Sequence, residues 1–179
     1  MKKRAVFIII VVFLLGSIKA QDVIKTAEPA FSKLAGYHVG VVQIFFAIHK
    51  GETTFFDESK FYSIGFPVGI TLSTAGKTKF DVEFVPFIKP NVKTDLPYQV
   101  HLLFHPGVLF PLHDGWTFGL RLAFEVGEGQ FGFTPLLNKS FKLSEHSNFF
   151  VELVAPGRFG PEKDSGYTQL GGLHLGFGF

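Results

Sequence analysis

The stretch Trp116 to Gly127, WTFGLRLAFEVG, alternates without interruption. Trp116, Phe118, Leu120, Leu122, Phe124 and Val126 fall on one side of an extended chain, because successive strand side chains point to opposite faces. Thr117, Gly119, Arg121, Ala123, Glu125 and Gly127 fall on the other. One face is large and apolar throughout; the other is small and carries both charges.

The same polarity recurs along the chain. Eight extended segments are predicted, over residues 36–49, 60–73, 78–89, 98–112, 116–127, 130–143, 148–157 and 166–179. A usual strand has about five or six residues, and a tilted strand that crosses a membrane needs about nine to eleven. Tyr62, Ile64, Phe66, Val68, Ile70 and Leu72 repeat the apolar face in the second segment, and Phe80, Val82, Phe84, Pro86 and Ile88 in the third. The last segment ends on Leu173, Leu175, Phe177 and Phe179, with Gly172, His174, Gly176 and Gly178 opposite. The single charge on an apolar face is Lys139, close enough to a strand end for its ammonium to reach water. The first segment is less regular, since Val39, Val41 and Phe45 oppose Val42, Ile44 and Phe46, which calls for a bulge or an inner apolar layer.

The connections alternate between short turns, such as residues 74–77, 113–115 and 144–147, and longer loops, with residues 127–129 the short exception on the loop side. Even strand number, short turns on one rim and longer loops on the other predict an all-β fold: an eight-stranded antiparallel up-and-down transmembrane β-barrel over residues 36–179. A soluble lipocalin-like barrel that binds an apolar ligand also has eight alternating strands. Its polar face would be the outside, dense in Lys, Glu, Asn and Gln, whereas the polar face here is rich in Gly, Thr, Ser and Ala, as the narrow interior of an eight-stranded barrel requires. Aromatics near the strand ends, with Tyr62, Tyr98 and Tyr167 on the loop side and Trp116, Phe149 and Phe179 on the turn side, form two candidate interfacial girdles.

Residues 1–20 have the layout of a cleaved secretory signal: Lys2, Lys3 and Arg4, an apolar run from Ala5 to Leu15, then small residues to Ala20. Residues 21–35 read as a periplasmic arm. Of 17 Lys and Arg, four lie in the leader, which leaves 13 against 15 Asp and Glu, a formal charge of −2. The basic pI of 8.8 is thus largely a property of the leader, and nucleic-acid binding loses its compositional support. No cysteine occurs, which excludes a disulfide framework and a lipid-modified N-terminal cysteine.

With these segments in hand, the chain resembles the small eight-stranded outer-membrane barrels of the OmpA transmembrane-domain and OmpX type, over essentially all of residues 36–179. The resemblance implies localisation in the outer membrane of a Gram-negative bacterium, contact with outer-membrane lipid, and a C-terminal strand read by the barrel-assembly machinery. Leu175, Phe177 and Phe179 match that assembly signal. It carries no catalytic residue across, and a monomer with a structural or surface-contact role is expected.

Inward-facing polar residues are predicted to form a network of Asp81, Glu83, Arg121, Glu125, Glu152, His105 and His174, with His101 and Lys142 on the same faces, because buried charges must satisfy one another. Arg121 is expected to pair with Glu83, Glu152 or both. His101 and His105 lie four residues apart on a strand, about 13 Å at roughly 3.3 Å per residue, too far to share an ion. No metal, cofactor or catalytic residue is expected, and eight strands leave an interior just filled by side chains, not a pore. The alternative function is a lipid A-modifying acyl hydrolase or transferase. The run Ser144-Glu145-His146-Ser147 holds the residue types for it, but on a tight periplasmic turn where adjacent residues seldom align as nucleophile and base.

Overall fold

A computed structural model of the chain describes residues 33–56, 63–90, 98–127, 129–160 and 166–179. The expected leader, most of the N-terminal arm, and Tyr62 lie outside the described residues. Within them the secondary structure is entirely strand: β1 (Lys33–His49), β2 (Glu52–Phe55), β3 (Ile64–Gly65), β4 (Val68–Ser73), β5 (Lys79–Pro90), β6 (Tyr98–Pro111), β7 (Trp116–Glu125), β8 (Phe131–Lys142), β9 (Asn148–Val154), β10 (Gly157–Phe159) and β11 (Tyr167–Gly178). β1 begins at Lys33, so the last three residues of the expected arm already belong to the sheet.

All pairings are antiparallel, and they close on themselves. β2, β3 and β4 share one flank of β1 in succession, and β9 and β10 succeed each other between β8 and β11. Counting each succession as one strand, the sheet is a ring of eight, closed where β1 meets β11 from His38↔Gly178 to His49↔Thr168. The divisions between β3 and β4 and between β9 and β10 fall at Phe66-Pro67 and Ala155-Pro156, where proline removes a ladder donor. Neighbouring carbonyls keep both breaks paired: Gly40 N donates to Pro67 O at 2.9 Å and Leu170 N to Pro156 O at 2.7 Å.

The irregularity of the first strand combines an inner apolar layer, Val42 and Ile44 lining the interior cavity, with a bulge. The β1–β11 register shifts between Ile44 and Phe46, so Phe45 is an extra residue in a bulge. Before it Val39 and Val41 are exposed; after it Ile48 is exposed and the Phe46 ring covers Gly171. One residue thereby keeps the apolar face outward on both sides of the bulge. A second difference follows His49. Lys50 and Gly51 both have positive φ, 50° and 85°, and turn the chain straight back so that Glu52–Phe55 pairs with β1 where a loop was expected.

The outer surface is apolar, and the charged side chains lie inside, beside an inner apolar layer that includes Val85, Leu103, Leu136 and Val154. Along β7, Phe118, Leu120, Leu122 and Phe124 are exposed while Gly119, Arg121, Ala123 and Glu125 are buried. The same split holds for Phe80 and Phe84 against Asp81 and Glu83 on β5, and for Leu175 and Phe177 against His174 and Gly176 on β11. Lys139 sits at the turn rim, its ammonium 5.2 Å from the Trp116 ring centre and bonded to Asp114 O. It therefore ends in solvent without leaving the apolar face. Tyr167 lies at the opposite rim against Phe133 and Phe159.

Candidate functional site

The interior is organised by Arg121. Its Nε donates to Asp81 Oδ2 at 2.8 Å, one terminal nitrogen donates to Glu152 Oε1 at 2.8 Å, and the other lies 3.6 Å from Glu83 Oε2. The three acids come from β5 and β9, on opposite flanks of β7, so the guanidinium ties the ring across its interior. All four residues are at most 4% exposed. Removing a charge from water costs several kcal/mol per ion, and the cost is offset here by direct pairing together with saturation of the remaining oxygens.

Three histidines complete that saturation. Glu83 takes His105 Nδ1 at 3.1 Å on one oxygen and His38 Nε2 at 3.2 Å on the other. Glu152 takes His174 Nδ1 at 3.2 Å and Asn138 Nδ2 at 3.3 Å. Asp81 accepts from Thr71 Oγ1 at 2.9 Å. The space for these side chains comes from glycine on neighbouring strands. A Cβ on Gly107 would lie 2.6 Å from Arg121 Cγ, and one on Gly40 would lie 2.4 Å from His174 Nε2. The glycines of the small, polar strand faces are thus the counterpart of the large charged groups opposite them.

The expected network residues Asp81, Glu83, Arg121, Glu152, His105 and His174 all meet here. Glu125 is buried too, in a separate pair with His101, Oε1 to Nδ1 at 2.5 Å. Lys142 does not join them: it is exposed at the turn rim, where a strand end meets water. Arg121 also finds one partner more than expected, Asp81. Two participants were not foreseen. His38 was hidden by the irregular polarity of β1, although it precedes Gly40 at the period-two spacing of an inward residue. Arg158 stood in a segment read as loop, but lies on the short strand β10 with its side chain inside the ring.

Arg158 is 6% exposed and bonds to neutral groups: Phe133 O, Gly157 O, Thr134 Oγ1 and His105 Nε2, at 3.1 to 3.3 Å. His105 therefore stands between two ions, Nδ1 toward Glu83 and Nε2 accepting from Arg158, an arrangement that requires the neutral Nδ1–H tautomer.

The Arg121 cluster divides the interior into two cavities. Toward the loops a cavity of about 380 Å³ has walls of Val42, Val85, Phe87, Leu103, Val154 and Leu170, a floor of Glu83, Arg121, Glu152 and His174, and Arg158 and Thr134 on its side. Toward the turns a second, of about 370 Å³, is bounded by His38, Asp81, Arg121, Asn138, Asn148 and Phe150. Arg121 and Glu152 border both, so the cluster is a septum and the interior is less completely filled than expected from strand number. Among the described residues, His38, Asp81 and Glu83 offer donor atoms within 4.8 Å of one another, a spacing that could hold a metal ion. Arg121 already supplies positive charge to both carboxylates.

In the Ser144–Ser147 turn, Ser144 Oγ meets Ser147 Oγ at 2.8 Å and accepts from the His146 backbone amide at 3.2 Å. The hydroxyl shapes the turn and is not bonded to the His146 ring. Compared with known proteins, the chain matches no family model, no curated protein and no solved structure.

Proposed function

We propose that the ring is an integral outer-membrane β-barrel, exported by the leader at residues 1–20 and seated as a monomer in the outer membrane of a Gram-negative bacterium, with a structural or surface-contact role. The observation that carries the reading is the inverted polarity: exposed Phe, Leu, Val and Ile girdle the outside while Asp81, Glu83, Arg121 and Glu152 are at most 4% exposed inside. A protein in water rarely exposes a contiguous apolar patch beyond a few hundred Å². In lipid the same surface is favourable, and the pairing of β1 with β11 closes the sheet on itself. Strands of 10 to 14 residues from β5 to β8 match the length of a tilted span.

In this reading Leu175, Phe177 and Phe179 present the assembly signal, and the turn rim with Trp116 and Lys139 faces the periplasm. The septum closes the lumen, so the protein anchors its loops in the outer leaflet without opening a pore. Membrane fractionation with gel migration before and after boiling is the test. A heat-modifiable band in the outer-membrane fraction is expected; recovery in the soluble periplasmic fraction alone overturns the reading.

A further inference from the structure

We infer that the loop-side cavity is a binding site for a single-chain amphiphile with one carboxylate head, held by Arg158. The inference deepens the barrel reading and rests on it for access, since the ligand enters over the loop rim from the surrounding lipid.

The head-group assignment follows from charge. Arg121 is matched by Asp81, Glu83 and Glu152, whereas Arg158 has no carboxylate within ion-pair distance among the described residues. Glu125 acts on Arg158 at longer range and is held by His101. A buried guanidinium whose partners are two carbonyls, a hydroxyl and an imidazole is solvated but not neutralised, which is costly in a site walled by apolar side chains. The terminal nitrogens are shared among Phe133 O, Gly157 O, Thr134 Oγ1 and His105 Nε2, none of which engages Nε, so a carboxylate would supply the missing negative charge with one charge-assisted hydrogen bond from Nε. One negative charge also fits better than two, because Glu83 and Glu152 line the floor of the same cavity.

The tail assignment follows from shape. The walls of Val42, Val85, Phe87, Leu103, Val154 and Leu170 carry no donor or acceptor on their side chains, and the volume of about 380 Å³ falls within the range of about 300–1,000 Å³ common for small-molecule sites. Polar side chains also line the cavity, among them Ser63, Gln130, Thr134 and Thr168, but a fully polar ligand would leave the apolar walls uncovered, and an uncharged hydrocarbon would leave Arg158 as it is. An amphiphile satisfies both surfaces.

The test uses the full chain refolded in dodecyl maltoside, with folding verified by heat-modifiable migration, and titrated with the fluorescent polyene acid cis-parinarate. Saturable binding is expected, displaced by hexadecanoate and not by hexadecanol or hexadecyltrimethylammonium. Arg158→Gln should weaken it on the order of tenfold or more, the scale of losing hydrogen bonds to a charged group. Leu103→Trp, which fills the cavity without touching the charge, should abolish it and keeps the test open if Arg158→Gln does not fold. Competition by the alcohol equal to that by the acid, or a signal unchanged by Leu103→Trp, overturns the inference. The two readings fail separately: head-specific binding by a chain found only in the soluble fraction refutes the membrane placement, and a heat-modifiable outer-membrane chain without it refutes the cavity assignment.

Discussion

Arg121 on β7 and Glu152 on β9 meet at 2.8 Å with a whole strand, β8, between their backbones. The bond therefore runs through the interior and not along the sheet, and with Asp81 on the other flank it braces the ring against changes of cross-section. Both charges are buried, so the pair is worth little relative to an apolar core but a great deal relative to either partner alone.

Removing Arg121 leaves Asp81, Glu83 and Glu152 close together without their cation. Arg121→Ala is expected to cost about 3–5 kcal/mol, the penalty of a stranded buried charge. Denaturant unfolding of the refolded protein, followed by loss of the heat-modifiable form, measures it. Insertion into lipid should survive, because the outer face is untouched. Glu152→Gln keeps shape and one hydrogen bond and should cost less.

Gly107 makes room for that brace. A Cβ there would lie 2.6 Å from Arg121 Cγ and 2.7 Å from Leu120 O, and the backbone oxygen does not yield. Gly107→Val is expected to destabilise by about 1–3 kcal/mol, the usual range for overpacking. In an Arg121→Ala background, where Cγ is gone, part of that loss should disappear. A double-mutant cycle measures the coupling.

Leu120 sits midway along β7 on the exposed face. If that face meets the middle of the bilayer, Leu120→Arg costs about 2–4 kcal/mol in the equilibrium for folding into phospholipid vesicles. The same change near a rim costs about 0–1 kcal/mol, and Leu143→Arg, beyond the end of β8, supplies that comparison.

Trp116 is the only tryptophan, so its emission reports one place on the turn rim. With Lys139 5.2 Å above its ring and bonded to Asp114 O, it belongs at the headgroup level. Lipids brominated near the headgroup should quench it more than lipids brominated at the chain ends. Lys139→Ala should shift stability by no more than about 1 kcal/mol, as expected for an exposed cation–π contact.

Much of this fold could be read from period-two alternation alone. β7 and β8 begin within a residue of the segments read for them, and the inward direction of Arg121, Glu83 and Glu152 follows from the face each occupies. Register could not be read, because which residue lies opposite which depends on shear between strands and not on either strand's own pattern. That is why Asp81 was not foreseen as the partner of Arg121 on Nε, and why His38 was missed until the bulge at Phe45 explained the mixed polarity of β1. Arg158 escaped for another reason. The predicted segment stops at Gly157, one residue short of it, whereas the pairing resumes after the break at Pro156 and runs from Gly157 to Phe159. The Lys50-Gly51 hairpin was concealed by a polar run resembling a loop, although two residues with positive φ are what a tight antiparallel return needs.

The central claim is that the apolar outside of the ring is in lipid and its charges are within. The chain has no cysteine, so single cysteines placed in turn along β7 from Phe118 to Phe124 take a spin label cleanly. In vesicles, labels at 118, 120, 122 and 124 should relax with lipid-dissolved oxygen and be protected from a water-soluble nickel complex, while those at 119, 121 and 123 should not show the lipid signature. Nickel access at the even positions, or no alternation at all, would contradict the account.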